Sequence, residues 1–332
     1  MKNILFPLGF LLLSLSSTAA EVTVSGLSSG GYFANQFHVA YSSKVNGAGV
    51  LAGGPFYCAR GSMMDALNRC MDTTNGAPTV QDSLREATRL EREGSIDNLD
   101  NLKNSKVYLL SGTADRTVLP IMMQRLRDLY QAWGLKAANM TVVDRLPVGH
   151  AFPTVDFGND CAIASSSPYI SSCGRDVAGE ILTALVGPLK AKEKATEDRI
   201  FKFNQAFGVN PTGISLARTG FAYVPKDCEN ALQKCHLHVA FHGCRQTTED
   251  IGMDYVLHTG YNAWAENNKI IILYPQAVRN LLLNNPRGCW DWWGYTGPNY
   301  HNKKGPQMHM ISKVVEQWSE GKLKMKKWDG RL

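Results

Sequence analysis

Residues 22–31 read VTVSGLSSGG, and they lead directly into the helix-like segment YFANQFHVAYSS. The first part is a short apolar and β-branched run, which is typical of a strand. The two serines that follow are held between glycines, which permit sharper changes of chain direction than other residues do. A strand, a tight turn and a helix must therefore follow one another here. This favours an α/β fold in which the turn presents a serine at an edge of the sheet.

The rest of the chain continues the alternation of strands and helices. Strands are predicted at 21–26, 47–55, 106–112, 140–147, 235–243 and 269–276. Helices are predicted at 30–43, 81–93, 120–133, 178–190, 254–267 and 306–321. Such alternation predicts a mostly parallel sheet with helices on both faces. Residues 190–214 are less regular and are interpreted as a connector or a peripheral hairpin, so we expect a single domain over 21–332.

The first twenty residues have the pattern of a secretory signal peptide. They contain one lysine, an apolar run from Ile4 to Leu15 and small residues up to Ala20. We expect cleavage near Ala20 and export of the mature chain, either to the periplasm or out of the cell. No later apolar run is long enough to predict a membrane-spanning helix.

Charge and cysteine content narrow the class further. The formal charge is +6, and the lysines and arginines are scattered, so the sequence does not indicate nucleic-acid binding. The chain has eight cysteines, an even number that favours disulfides in an exported protein. Sequence alone leaves their connectivity open. Catalytic thiols and metal ligands are the less favoured interpretations.

The turn GLSSG, residues 26–30, matches the pattern GxSxG with Ser28 at its centre. Between a strand and a helix, this pattern predicts a nucleophilic serine, the alternative being a tight turn with a capping serine. A serine nucleophile needs a base and an orienting carboxylate. Asp115 and His150 each follow a predicted strand, in the order Ser, Asp, His of α/β-hydrolases.

The acid and the base both have competing interpretations. Asp115 is also placed to cap the helix that begins near Pro120, and Asp144 is a rival acid. His150 is alternatively a loop histidine that bonds to the backbone. We nevertheless predict Asp115 and His150 as the partners of Ser28, because loops at the carboxyl ends of parallel strands meet at one edge of the sheet.

An oxyanion hole requires two backbone N–H groups. The amide of Ser29 supplies the first, since it follows the nucleophile. The segment LHVAFHGC, residues 237–244, is an apolar strand that ends in His-Gly, and the amide of Cys244, or else of Gly243, is the candidate for the second. An ordinary strand end is the alternative. In α/β-hydrolases this loop precedes the serine, whereas here it follows the histidine, so the order predicts a circular permutation.

Two further clusters have a functional interpretation. CWDWWGYTGPNY, residues 289–300, is rich in aromatic residues. If Cys244 and Cys289 are linked, Trp290 is expected beside the oxyanion loop as a wall of a substrate cleft. His236 and His238 lie on one face of a strand, as in zinc-binding HxH pairs, but no third ligand is evident. We therefore expect no metal.

The motifs together resemble one family. VTVSGLSSGGYFANQFHVAYS, VLAGGPFYCA, SGTADRTV, GHAFPT, LHVAFHGCRQ and GCWDWWGY are similar to segments of the single-domain extracellular polyhydroxybutyrate depolymerases, over about residues 22–320. The resemblance implies a circularly permuted α/β-hydrolase fold, the triad Ser28, Asp115 and His150, and oxyanion donors at Ser29 and Cys244. It also implies four disulfides: Cys58–Cys70, Cys161–Cys173, Cys228–Cys235 and Cys244–Cys289.

The expected activity follows from this resemblance. It is hydrolysis of poly(3-hydroxybutyrate) or its oligomers by a secreted serine esterase without a cofactor. The substrate is the only partner expected, and the protein is expected to be a monomer. The alternatives are a feruloyl or acetyl esterase of the same fold and, less favoured, a non-catalytic binding protein.

Overall fold

The computed structural model describes residues 21–163 and 165–332. The predicted signal peptide, residues 1–20, lies outside the described residues. In the part of the chain that is described, no helix has both the length and the apolar composition needed to cross a bilayer.

Twelve strands are present in the described residues. They are β1 (Val22–Leu27), β2 (Val45–Leu51), β3 (Lys106–Gly112), β4 (Met140–Leu146), β5 (Phe152–Thr154), β6 (Asn159–Asp160), β7 (Ile170–Ser172), β8 (Ile200–Asn204), β9 (Thr219–Tyr223), β10 (His236–Phe241), β11 (Ile270–Tyr274) and β12 (Met325–Lys327). The six predicted strands are β1 to β4, β10 and β11. The sequence patterns did not reveal β5 to β7, β9 or β12, and β8 lies in the segment 190–214 that was interpreted as a connector or a hairpin.

Nine α-helices lie between these strands in the described chain. They are α1 (Ser29–Ala40), α2 (Met63–Asn68), α3 (Val80–Arg92), α4 (Ile121–Ala132), α5 (Val177–Val186), α6 (Thr248–Ile251), α7 (Asp254–His258), α8 (Tyr261–Asn268) and α9 (Pro306–Ser319). The helix predicted at 254–267 is wrong as a single element. Gly260, with a φ of 95°, separates α7 from α8 because this left-handed conformation does not continue a helix.

The main sheet has nine strands in the order β12-β8-β9-β11-β10-β1-β2-β3-β4. Neighbouring strands from β11 to β4 pair in parallel, as predicted. β9 pairs antiparallel with β11, and β8 and β12 extend the same edge with further antiparallel pairs. The irregular segment 190–214 therefore contains β8, the first strand of a hairpin with β9 that lies next to the edge strand β12.

The strand order confirms the circular permutation. Suppose that the chain is read from β8 to β11 and then from β1 to β4, and that the strands are numbered one to eight in that order. Their order across the sheet is then 1-2-4-3-5-6-7-8. Read in this way, β10 and its following loop precede the serine strand β1, as in α/β-hydrolases. The fold is therefore a circularly permuted α/β-hydrolase, in which the predicted nucleophile strand β1 comes first among the described strands.

Apolar side chains fill both faces of the sheet. One buried cluster joins the sheet to α1, α4 and α9 through Phe33, Leu126 and Ile311. The other joins it to α5 and α8 through Ile181 and Tyr261. All twelve residues of α1 are buried, so this helix is fixed in the centre of the molecule. The turn that precedes α1 is therefore held between two rigid elements.

A buried polar network lies between β1 and β10. Nδ1 of His238 is 2.9 Å from Oγ1 of Thr23, and its Nε2 is 2.8 Å from Oγ of Ser25. The Ser25 hydroxyl also bonds to the hydroxyl of Tyr261, at 2.7 Å. Burial lowers the pKa of His238 to about 3, so the ring is neutral in the folded protein at neutral pH. Both ring nitrogens are occupied, which makes this histidine part of the scaffold.

We expect this network to make stability depend on pH. In the unfolded chain His238 takes up a proton near the ordinary histidine pKa of 6.5, whereas in the folded chain it does so only near 3. Stability from this group is therefore complete above pH 6.5 and falls, as pH decreases toward 3, by about 1.4 kcal/mol per pH unit. The free energy of unfolding, measured in urea between pH 7 and 4, should fall less steeply with decreasing pH in His238→Gln than in the wild type, by about 1.4 kcal/mol per pH unit. His309→Gln, a change at an exposed histidine, should keep the pH dependence of the wild type. The same pH dependence in all three proteins would contradict the prediction.

Candidate active site

Ser28 occupies a strained turn between β1 and α1. Its φ of 58° and ψ of −121° are rarely adopted by residues other than glycine. The flanking glycines are required by close contacts. A Cβ on Gly26 would lie 2.2 Å from the carbonyl oxygen of Gly30, and one on Gly30 would lie 2.4 Å from the carbonyl oxygens of Phe241 and His242. The GxSxG pattern is thus explained by space as well as by backbone conformation.

Asp115 and His150 are in direct contact, as the sequence predicts for an acid and base pair. Nδ1 of His150 lies 2.8 Å from Oδ2 of Asp115, and both residues are buried. The other carboxylate oxygen, Oδ1, accepts the backbone N–H groups of Thr117 and Val118 at 2.8 and 3.0 Å. These two bonds orient the carboxylate, so that its remaining oxygen faces the imidazole.

This contact fixes which imidazole nitrogen is free. An ionised carboxylate only accepts hydrogen bonds, so Nδ1 of His150 carries the proton and Nε2 is available as a base. Ser28 and His150 line the same cavity. The Ser28 hydroxyl has no hydrogen-bond partner among the described residues, and such catalytic bonds are often formed only when substrate is bound. The rival acid Asp144 lies exposed on β4.

The two candidate oxyanion donors lie on either side of Ser28. Ser29 is the first residue of α1, where backbone N–H groups have no partner within the helix. Gly243 lies next to Ser28, since a Cβ built on it would be 3.5 Å from the Ser28 Cβ. The N–H of Gly243 already donates to Oε1 of Gln246 at 2.7 Å. In the described chain the N–H of Cys244 makes no hydrogen bond to the protein, so it is available to an oxyanion. This favours Cys244 over Gly243 as the second donor.

Buried side chains hold in place the loop that contains the candidate donors, residues 242–246, which is called the oxyanion loop here. The amide of Gln246 also donates to the carbonyl oxygens of Pro168 and Tyr169, at 3.1 and 3.0 Å. His242 donates from Nδ1 to the carbonyl of Gly243 at 2.7 Å and accepts the N–H of Ala277 at 3.1 Å. Burial lowers the pKa of His242 to about 4, so the neutral ring keeps both bonds at neutral pH. In the sequence His242 is recognisable only as part of the His-Gly strand end, and Gln246 belongs to no motif, so neither was predicted to hold this loop.

The structure contains four disulfides, with the pairings that the resemblance implies. They are Cys58–Cys70, Cys161–Cys173, Cys228–Cys235 and Cys244–Cys289. The last joins positions 45 residues apart in sequence. It connects the oxyanion loop to the aromatic segment 289–300, so these two parts of the site are covalently linked.

The site opens into a cavity of about 330 Å³. Ser28 and His150 form part of its wall, and much of the remaining wall is apolar: Tyr32, Met63, Leu67, Met71, Trp292 and Trp293. Tyr32 and Trp292 stack with their ring centroids 4.2 Å apart. The cavity is therefore suited to a small, largely apolar acyl group beside the serine.

The interpretation of Trp290 as a cleft wall is wrong. Its side chain is fully buried and packs against Phe33 and Phe241, with ring centroids 4.8 and 5.0 Å apart. The backbone N–H of Trp290 lies 3.4 Å from Oγ of Ser29, which places the residue behind the turn. The two tryptophans that follow, Trp292 and Trp293, line the cavity instead.

Asp291 explains the shape of this aromatic loop. Its buried carboxylate accepts the N–H groups of Gly294, Tyr295 and Thr296 at 2.7 to 3.1 Å, and the Thr296 hydroxyl at 2.6 Å. Burial raises the pKa of Asp291, while these donors oppose the rise. The carboxylate thereby closes the turn that presents Trp292 and Trp293 to the cavity.

The metal interpretation of His236 and His238 finds no support in their contacts. Both nitrogens of His238 are bonded to hydroxyl groups of β1, as described above. Within residues 21–163 and 165–332, no group of three or more histidine, cysteine, aspartate or glutamate side chains is arranged to hold a metal ion.

Comparisons with known proteins agree with this geometry. No protein-family model matches the chain. It is 44% identical over 313 residues to a poly(3-hydroxybutyrate) depolymerase of Delftia acidovorans, covering 93% of this chain and 61% of that protein. It is 39% identical over 317 residues to a polyhydroxybutyrate depolymerase of Talaromyces funiculosus, covering 91% of this chain and 90% of that protein. The chain thus spans about three fifths of the Delftia protein and most of the fungal one.

Two solved structures are similar over nearly the whole chain. The crystal structure of PHB depolymerase from Penicillium funiculosum has a TM-score of 0.82 and 38% identity, and covers 91% of this chain and 96% of its own. A serine-to-alanine variant of a PHB depolymerase, complexed with an R3HB trimer, has a TM-score of 0.83 with the same identity and coverage. This level of likeness over both chains confirms the resemblance seen in the sequence motifs: the chain belongs to the PHB depolymerase family.

Proposed function

We propose that the protein is a serine esterase that hydrolyses poly(3-hydroxybutyrate) or its oligomers. The observation that carries the proposal is the arrangement of one cavity. A serine in a strained turn and a histidine oriented by a buried carboxylate open into the same apolar space. The names of the relatives, and the R3HB trimer bound to one of the similar structures, supply the substrate class.

The first half of the reaction is acylation. Nε2 of His150 removes the proton of Ser28 as the serine oxygen attacks the ester carbonyl. The developing oxyanion is stabilised by the N–H groups of Ser29 and Cys244, aided by the positive end of the α1 dipole. Asp115 stabilises the imidazolium that forms. His150 then gives its proton to the departing alcohol, which leaves an acyl group on Ser28.

The second half releases the acyl group. Water enters the place of the alcohol, gives a proton to His150 and attacks the acyl carbonyl. The same two N–H groups stabilise the second oxyanion. Collapse of this intermediate returns the proton to Ser28 and releases a carboxylic acid. Every proton transfer uses Ser28, His150 or water, so the proposed cycle is complete without another reactant.

The competing functions receive less support. A feruloyl or acetyl esterase of this fold shares the chemistry, but both relatives and both similar structures are named as depolymerases of hydroxybutyrate polyesters. A non-catalytic binding protein has no need for the strained Ser28 turn or for the buried pair of Asp115 and His150. Such strain is retained mainly where function requires it.

Substitutions in the proposed triad should act on kcat. We expect Ser28→Ala to lower kcat for hydroxybutyrate trimer by about 10⁴-fold or more, because the nucleophile is lost. Asp115→Asn should lower kcat by about 10³- to 10⁴-fold, since the imidazole loses its orientation. Asp144→Asn is the matched control and should retain kcat close to that of the wild type. Comparable losses in the two asparagine variants would contradict the assignment of Asp115.

A panel of esters tests the substrate class. Product release should be compared from polyhydroxybutyrate film, hydroxybutyrate trimer, methyl ferulate and an acetylated sugar. We expect the highest kcat/KM among the soluble esters for the trimer, and measurable release from the film. If methyl ferulate or the acetylated sugar is the best substrate, the alternative esterase is correct. If no ester is hydrolysed by a folded protein, the esterase proposal itself fails.

We further propose that the protein is exported. Support for export comes from the pattern of residues 1–20 and from the four disulfides, which persist in oxidising compartments. Mass spectrometry of the protein recovered outside the cytoplasm should give an N-terminus near Glu21 and an intact mass eight hydrogens below that of the reduced chain. Recovery of the protein only from the cytoplasm, with residues 1–20 still attached, would contradict export.

A further inference from the structure

Two arginines line the cavity that contains Ser28. Arg245 follows Cys244 in the oxyanion loop, and Arg287 lies two residues before Cys289 in the loop at the other end of the disulfide. The backbone N–H of Arg245 donates to the carbonyl oxygen of Arg287 at 2.7 Å, so the two backbones are adjacent. Both residues are exposed, so their charged side chains are accessible to solvent.

Neither guanidinium is neutralised by the protein. In residues 21–163 and 165–332, no ion pair joins Arg245 or Arg287 to a carboxylate. The described cavity wall also contains no aspartate or glutamate. The neighbouring Arg279 differs, because it is paired with Asp250. Positive charge without a partner is thus concentrated at the cavity.

The backbone at Arg245 supports a functional reason for its position. Its φ is 60°, a left-handed conformation that is unfavourable for a side chain of this size. Nη1 of Arg245 lies 3.3 Å from the hydroxyl of Tyr169, which also lines the cavity. The side chain is therefore directed along the cavity wall, where further donors of the guanidinium group remain available.

We propose that Arg245 and Arg287 bind the terminal carboxylate of an acid-ended oligoester, and so favour such oligomers over uncharged esters. This inference rests on the proposed function and specifies its substrate. An ester of a hydroxy acid carries its one negative charge at the acid end. Each hydrolysis also creates a fragment with a new carboxylate, so the product of one cleavage becomes the preferred substrate of the next.

The chemistry of the two groups is complementary. A guanidinium presents a planar fork of donors that matches the two oxygens of a carboxylate. Because both arginines are exposed, solvent and salt weaken the attraction, and its size is that of partly screened ion pairs. A preference for the acid of about three- to tenfold in kcat/KM is therefore expected, and it should decrease as salt is raised.

The test compares hydroxybutyrate trimer as the free acid with its methyl ester at pH 7.5 and low salt. The measured quantity is the ratio of kcat/KM for the acid to that for the ester. We expect this ratio to fall about three- to tenfold in Arg245→Ala and in Arg287→Ala. Arg245→Lys should restore part of it by keeping the charge. Arg279→Ala is the matched control, since it removes a neighbouring arginine that is already paired, and it should keep the wild-type ratio.

A binding measurement separates this inference from the esterase proposal. In a Ser28→Ala background, calorimetry should show tighter binding of the acid than of the methyl ester, and this difference should disappear in the Arg245→Ala, Arg287→Ala double variant. Preferential binding without hydrolysis by the wild type would overturn the esterase but support the carboxylate site. Hydrolysis of both trimers with a ratio that is the same in all variants would overturn the carboxylate site alone.

Discussion

The close approach of Gly30 to the end of β10 is the contact on which the site depends. A side chain at Gly30 would collide with the carbonyl oxygens of Phe241 and His242, so only glycine lets the first turn of α1 lie against this strand end. That contact brings the oxyanion loop beside Ser28, although the two are separated by more than two hundred residues in sequence. The parallel pairing of β1 with β10 orients the two strand ends relative to each other. The absence of a side chain at Gly30 allows the short distance between them.

Once the strands are in place, buried polar side chains determine the loops. Gln246 joins the oxyanion loop to residues 168–169, His242 joins it to Ala277 in the segment after β11, and Asp291 closes the aromatic loop. Each makes several hydrogen bonds in surroundings where an unmade bond costs more than in water. The loops are therefore specified by polar contacts, whereas the sheet is specified by apolar packing. This division is suited to an enzyme, because the hydrogen bonds keep the loops around the site in one conformation.

The sequence predicted the elements that have strong local signals. Six strands were found because each is an apolar run that ends in glycine or proline, and Asp115 and His150 were placed together because parallel strands end at one edge. The pattern could not show which of three neighbouring tryptophans faces inward. That depends on the turn around Asp291, whose partners are all backbone N–H groups and a hydroxyl within five residues. The break between α7 and α8 was missed because Gly260 lies in an otherwise helical pattern.

The bridge between Cys244 and Cys289 has a consequence for when the protein can become active. It ties the loop of a proposed oxyanion donor to the loop that carries the cavity tryptophans, and both arginines lie within two residues of its ends. A newly synthesised chain in a reducing cytosol lacks this disulfide, so the two loops are held together only by non-covalent contacts. With the export proposed above, formation of this disulfide, and with it the final arrangement of the cleft, would follow translocation to an oxidising compartment.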